Sequence, residues 1–417
     1  MKLRIALIVS FFIAGYFSFS YANEFVSLDE LIKEALSSNP KIKAAKEIWQ
    51  AEQERVKEVT ALPDPMFMYG FFGKNIETRA GPQKQNFSLS QKIPFPGKLS
   101  LKGKAQEEKA KTAEEMYEAT KREVIKNLKI VFLDLYWIDR AIEITEREKN
   151  ILIDSSSTLR RKYEANLMPQ RDVLKVEVEI SNLIDKLLLL RQQRNTTAAK
   201  INSIVSRPHN YSLGKVKDID IKAMDFNTEE LFKIGTASRQ EIKALKHKVD
   251  KSKFDKTLAK FDFLPDFTFG FNYIDVEAGH TTQPNDGEDA WLATISINLP
   301  IWENKLNAQV REKEAMLRAA DADLESKNDE VDYEVSDLYF KLITYKDIIN
   351  LYETTLIPQA NQAYESVKTA YESGKTDFLN WLDSERTLLK IRLAYYKAKA
   401  DYAKNFALLE RAIGEDL

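Results

Sequence analysis

The chain has 417 residues, of which 44% are hydrophobic and 30% charged, and 62 Lys+Arg against 64 Asp+Glu leave a net charge of −2. That balance excludes a polytopic helical membrane protein, a disordered chain and a nucleic-acid binder built on a basic stripe. Cysteine is absent, which removes disulfides, Cys-ligated metal, thiol chemistry and a lipidated N-terminal Cys, while only 13 Gly and 12 Pro favour long helices.

At the start, Lys2 and Arg4 precede an apolar run from Ile5 to Phe19, and Ser20-Tyr21-Ala22 offers small residues at −3 and −1. This is the pattern of a secretory signal peptide, residues 1–22, cleaved before Asn23. No later run reaches 18 apolar residues. A mature chain that enters a membrane must therefore do so as a β-barrel, the remaining way to satisfy its backbone there.

The next elements recur. Ser27-Leu28-Asp29-Glu30-Leu31 opens a helix with capping-box spacing, and Asn227-Thr228-Glu229-Glu230-Leu231 repeats that opening 200 residues later. Ile42-Lys43-Ala44 matches Ile242-Lys243-Ala244, Leu62-Pro63-Asp64 matches Leu264-Pro265-Asp266, and Ile93-Pro94 matches Leu299-Pro300. Tyr163-Glu164-Ala165-Asn166 matches Tyr371-Glu372-Ser373-Gly374, now offset by 208. The common order and slowly drifting offset indicate an internal duplication, 23–215 and 216–417. Each copy reads as a helix, two strands and two very long helices.

Strands are expected at about 66–73, 86–92, 266–275 and 291–299. Phe267, Phe269, Phe271 and Tyr273 alternate with Thr268, Gly270 and Asn272; Trp291, Ala293, Ile295 and Ile297 alternate with Leu292, Thr294 and Ser296. One apolar face over about nine residues suits a transmembrane strand with Phe267, Phe269, Phe271, Trp291, Ile295 and Ile297 toward lipid. A soluble hairpin packed on the helices fits the alternation equally well. The loops 74–85 and 276–290 carry Gly, Pro and charges, as exposed tips do. Four strands fall short of the eight or so that the smallest membrane barrels need, so they should be pooled across chains.

Lys98 to about Ala165 holds no Pro and, after Gly103, no Gly. Those roughly 65 helical residues would span about 100 Å. In the second copy Val335, Leu338, Leu342, Tyr345, Ile349, Tyr352 and Leu356 alternate spacings of three and four, a coiled-coil seam. Nucleophile, phosphate-loop, dinucleotide and zinc-enzyme motifs are missing from the sequence, so catalysis, a cofactor and a metal site are not expected. His280 and Glu277 in the second loop could bind a metal, although a lone His among scattered carboxylates is ordinarily plain loop.

These features resemble the TolC family of outer-membrane efflux channels over essentially the whole mature chain. The marks are Ala35-Leu36 followed by Asn39-Pro40, the duplicated plan, and two helix-hairpin motifs. The hairpins run from Tyr163-Glu164-Ala165-Asn166-Leu167 to Asp172-Val173-Leu174, and from Tyr371-Glu372-Ser373-Gly374-Lys375 to Leu382-Asp383. Gln91-Lys92-Ile93-Pro94-Phe95-Pro96-Gly97-Lys98-Leu99 further resembles the heavy-metal-efflux branch, of the CusC and CzcC type.

The resemblance implies a mainly α protein with a small β part. As a homotrimer it would pool its strands into a twelve-stranded barrel in outer-membrane lipid, continued by a helical tunnel in the periplasm. It implies passive conduction, docking on a periplasmic adaptor (membrane fusion) protein and an inner-membrane pump, often proton-driven, and hairpin tips that gate the entrance. Carried over by motif, the gate falls on Asp172, Tyr371, Asp377, Asn380 and Asp383. Asn380 and Asp383 take the family's paired acidic positions, Thr376 stands at a family Arg, and Asn166 replaces the usual Gly. Asp377 and Asp383 would each form a ring of three carboxylates, although near a helix start such residues are commonly caps or solvated. Phe378 and Trp381 are expected to pack the hairpin. A secreted coiled-coil structural or adhesive protein is the alternative; it explains the heptads but not the recurring strand pairs. A secreted enzyme on a helical scaffold would need a convergent polar pocket.

Overall fold

Each half opens on a helix that breaks after 11 residues: α1 (Leu28–Ser38) into α2 (Pro40–Thr60), and α5 (Thr228–Ser238) into α6 (Gln240–Phe261). The single opening helix expected in each copy is therefore two. In the first half Pro40 lacks the N–H that would continue α1, and Asn39 caps the new helix by accepting from Lys41 N at 2.9 Å. In the second half Arg239 adopts the same backbone (φ −63°, ψ 123°) without a proline. Its buried guanidinium instead bonds Ala412 O at 3.2 Å and pairs with Glu334. The capping box forms at Asn227–Glu230 but not at Ser27, whose side chain makes no cap hydrogen bond.

The computed structural model describes residues 25–279 and 284–417. The expected signal peptide and His280 lie outside the described residues. The remaining elements are β1 (Met66–Thr78), β2 (Gly81–Ile93), α3 (Lys98–Glu164), α4 (Gln170–Ile204), β3 (Phe267–Val276), β4 (Ala290–Ile297), α7 (Glu303–Leu351), α8 (Ile357–Glu372) and α9 (Phe378–Ile413). Among the described residues no helix is long and apolar enough to cross a membrane.

The four strands form one antiparallel sheet in the order β1-β2-β3-β4. Its register sets Phe67, Leu89, Phe271 and Ala293 side by side, and Tyr69, Phe87, Tyr273 and Trp291 in the next row but one. Phe269 opposes Ile295, and Phe267 opposes Ile297. Aromatic and aliphatic side chains thus share one face, interrupted by Gln85 and Gln91 on β2 and by Asp275 at the end of β3. The other face carries Asn86, Ser88, Ser90, Thr268, Asn272, Thr294 and Ser296, with Met66 and Met68 on β1, Ile274 on β3 and Leu292 on β4 as its apolar members. Ile295 and Trp291 are 72% and 70% exposed, so nothing among the described residues covers the apolar face there. Among the described residues, both outer strands, β1 and β4, have unpaired edges.

The first hairpin is longer than its alternation predicts. Residues 74–78 and 81–85 were expected as loop but belong to the strands, after a bulge between Phe71 and Ile76. Polar residues pair their backbones as well as apolar ones, so alternation ends where the apolar band ends and pairing continues beyond it. Glu277 pairs with Lys84 across this extension.

At the base of the sheet, Gly97 (φ 99°) turns the chain from β2 into α3. Lys98 is buried there, with Nζ donating to Asp266 Oδ1 at 2.9 Å and Leu264 O at 3.0 Å. Phe95 N donates to the same Asp266 oxygen at 3.0 Å. Burial alone would push this carboxyl up, but Lys98, the Phe95 amide and Lys92 outweigh it and hold Asp266 at about 2. Strand entry and strand exit of the two halves are tied in one knot.

Below it the long helices lie side by side as α4-α3-α9, with α7 and α8 on the far flank of α9. The seam expected in the second copy buries Val335, Leu338, Leu342 and Ile349. It stops at Tyr352 and Leu356, which fall in a π-helical turn, Tyr352–Leu356. Pro358 causes the break: it has no N–H for Thr354 O, its ring crowds that carbonyl, and Ile357 N reaches back five residues to Tyr352 O.

Candidate functional site

The far ends of the long helices form two hairpins of the same construction. In the first, Leu167 N donates to Lys162 O and Asn166 N to Tyr163 O, both at 2.8 Å. In the second, Lys375 N donates to Ala370 O at 2.8 Å and Gly374 N to Tyr371 O at 3.1 Å. Each closes its helix through a left-handed residue, Asn166 (φ 60°) or Gly374 (φ 73°). Asn166 fills the glycine position because Asn tolerates that conformation better than other side chains.

The hairpin core gathers Leu152, Leu159, Val173, Val176, Ile180, Phe378, Trp381, Leu382 and Leu388. Phe378 and Trp381 are buried in it, with ring centroids 5.4 Å apart. Tyr371 stacks on Trp381 at 6.0 Å and 21°, and its hydroxyl is buried without a hydrogen-bond partner. Asp172 is likewise buried, and its Oδ1 accepts no hydrogen bond; Arg171 Nε lies 3.4 Å away. Burial first, and then the charge of Asp172, push the Tyr371 phenol up. The structure therefore brings Asp172 and Tyr371 together between the two hairpins.

The other three predicted residues lie apart from that pair. Asp377 is the N-cap of α9, and its carboxylate accepts from Asn380 N at 2.9 Å. Asn380 Nδ2 donates to Thr376 Oγ1 at 3.0 Å. Asp383 is exposed, within the field of Arg386, which crosses to Glu179 on α4. A cap and a solvent-facing carboxylate are compatible with pore lining, because both point their charge outward from the hairpin core.

Sequence reasoning missed a second acidic group. Glu148 on α3 and Glu385 on α9 are buried, and their carboxyl groups meet. Both occupy core positions of their stripes: Glu148 follows Thr145 and precedes Leu152, and Glu385 sits between Trp381 and Leu388. A charged residue at a core position was the available signal. Among the described residues, three or more carboxylates or imidazoles placed to hold a metal ion do not occur.

The profile of the outer membrane efflux protein family matches residues 31–206 and 235–415. The chain belongs to that family. It is an outer-membrane channel protein and not an enzyme. No curated protein sequence matches it. Among solved structures it is similar to VceC from Vibrio cholerae, with 17% identity, TM-score 0.77, and 93% of this chain and 96% of that chain covered. It is similar to CusC, with 15% identity, TM-score 0.80 and 94% of each chain covered. The Campylobacter jejuni CmeC channel gives 15% identity and TM-score 0.75 over 99% of this chain and 94% of that one. At these identities the likeness is one of fold. The two matched segments of the efflux-family profile fall one in each half of the duplicated chain.

Proposed function

We propose that three copies of this chain close into one duct, the outer-membrane exit of a tripartite efflux assembly. The observation that carries this is the sheet: one exposed, largely apolar face and two edges, on β1 and β4, unpaired among the described residues. Neither is stable alone in water or lipid, and pairing β4 with β1 of the next copy removes both defects. The helices support the same closure. Leu174, Val178 and Leu188 stand exposed on α4, and Tyr333 and Phe340 on α7, at opposite flanks of the helical layer.

In this duct Phe267, Phe269, Phe271, Trp291, Ile295 and Ile297 face lipid and the Asn272–Thr294 face lines water. The helices project into the periplasm, and the hairpin tips meet an adaptor and an inner-membrane pump. Asp377, Asn380 and Asp383 line the entrance, where threefold repetition makes a negative ring that favours cations. Asp172 and Tyr371 hold neighbouring hairpins shut; their buried, unpartnered oxygens are the support for that role. Heavy-metal cations as cargo rest on the resemblance of Gln91–Leu99 alone. In the fold, much of that stretch builds the Gly97–Lys98–Asp266 knot, and passive conduction leaves the choice of cargo to the pump. Planar-bilayer recording tests the duct: the purified protein should give large, long-lived, passive conductance steps, and a protein that never conducts would refute it.

A further inference from the structure

We propose that Glu148 and Glu385 form a proton-operated latch between α3 and α9: one shared proton holds the two hairpins of a chain together, and its loss drives them apart. The geometry is that of a carboxyl pair removed from water. Glu148 is 6% and Glu385 2% exposed, on two helices that pack directly on one another, and the carboxyls lie against each other. Two carboxylates cannot accept from one another, so the contact needs a proton. Glu385 Oε2 has no further partner, and the fully buried Thr145 Oγ1 nearby on α3 has none either. Among the described residues, the buried cations Lys98, Arg239 and Lys399 pair elsewhere.

The surrounding groups act in both directions, and burial decides the outcome. From α4, Glu179 adds negative charge, partly offset by Arg386 of α9 and by Lys186 of α4. From α9, Arg392 favours ionisation, but its guanidinium donates to Asn361 of α8 at 2.9 Å. From α8, the Tyr364 hydroxyl lies against Glu385 as a donor, which favours the ionised form of that carboxyl. Burial, then the Glu385 hydrogen bond and charge, push the Glu148 carboxyl up to about 9. A carboxyl raised by folding binds its proton more tightly in the folded chain. The latch is therefore complete below the ordinary value of 4.5 and drains away as pH rises through about 9. Within that window each pH unit can change the closed-to-open ratio by up to tenfold. The latch belongs to the single chain and does not depend on whether Asp377 and Asp383 line a pore.

The test uses the purified full-length protein in mild detergent. Infrared spectra should show a protonated carboxyl band at neutral pH that titrates toward pH 9 and is lost in Glu148→Gln and in Glu385→Gln. Hydrogen exchange, corrected for intrinsic rates, should show protection of residues 145–160 and 381–392 falling between pH 6 and 9. Each Gln variant keeps one amide donor for the remaining carboxylate, so protection should become flat with pH. Glu143→Gln, at an exposed position on α3, should behave as wild type. A wild-type spectrum without a protonated carboxyl at pH 7 overturns the latch, even if a variant fails to fold. So does an unchanged pH slope in both Gln variants.

Discussion

The sheet and the hairpin tips are the two ends of one chain, and they expose opposite kinds of unfinished surface. The sheet leaves apolar side chains and backbone edges uncovered, a defect of area that only lipid and further strands can remove. The tips are well packed around Phe378, Trp381 and Leu382, and what they leave unfinished is polar: the Tyr371 hydroxyl, one oxygen of Asp172, one of Glu385. The first defect drives assembly with a large, undirected gain from burial. The second is directional, sensitive to single protons and donors, and suited to a part that must open. The sheet end should therefore answer to hydrophobicity and the tip end to hydrogen-bonding and charge.

The sharpest way to break this contrast lies in the sheet. Phe269→Arg places a charge on the apolar face at a cost of roughly 2–4 kcal/mol per chain, repeated in every copy. Folded oligomer in outer membranes should be nearly abolished, whereas Asn272→Arg on the opposite face should be tolerated. Equal effects of the two changes would contradict the face assignment.

A smaller effect is expected at the knot joining the sheet to the helices. Lys98→Met leaves Asp266 with Lys92 and one backbone donor, and loss of such a buried partner costs about 3 kcal/mol or more. Thermal melting of the oligomer should drop by several degrees. Asp266 is held below its ordinary 3.8, so its contribution is present above that pH and is lost as pH falls toward 2. Wild-type stability should decline in that acid window and the Asp266→Asn variant should decline less.

At the tips the changes should be functional and nearly silent in stability. Asp383→Asn should leave melting unchanged and weaken cation selectivity in bilayer recordings. Tyr371→Phe removes a hydroxyl that has no hydrogen-bond partner among the described residues and should raise open-channel conductance. Preserved selectivity in a combined Asp377→Asn and Asp383→Asn variant would return both residues to capping and solvation. The smallest effect separates the two hairpins: Asn166→Gly should be neutral or slightly stabilising, and Asn166→Ala should cost about 1 kcal/mol.

What the sequence discloses follows from how many residues write each signal. The alternation of Phe267, Phe269 and Phe271 with Thr268 and Gly270 is a repeated pattern, and the sheet places those residues on one face. The Val335–Ile349 seam is legible for the same reason. Single-residue events are not. Pro358 ends that seam through a π-helical turn that lies upstream of the proline itself, at Tyr352–Leu356, and Arg239 breaks a helix with Ala412 O and Glu334 of other elements as its partners. Ser27 has the right spacing for a capping box and does not form one. The hairpin motifs located the tips, but spacing could not separate a buried Asp172 from an exposed Asp383, and the contact of Glu148 with Glu385 joins residues more than 200 positions apart.

The central claim is that the chain is one part of a wall closed by its own copies. Mass measurement of the purified protein in mild detergent tests it most directly. The account predicts a single trimeric species with full helical content and no stable folded monomer at any dilution that retains structure. A monodisperse monomer with the same helical content would show that the sheet edges and apolar face need no partner, and would contradict it.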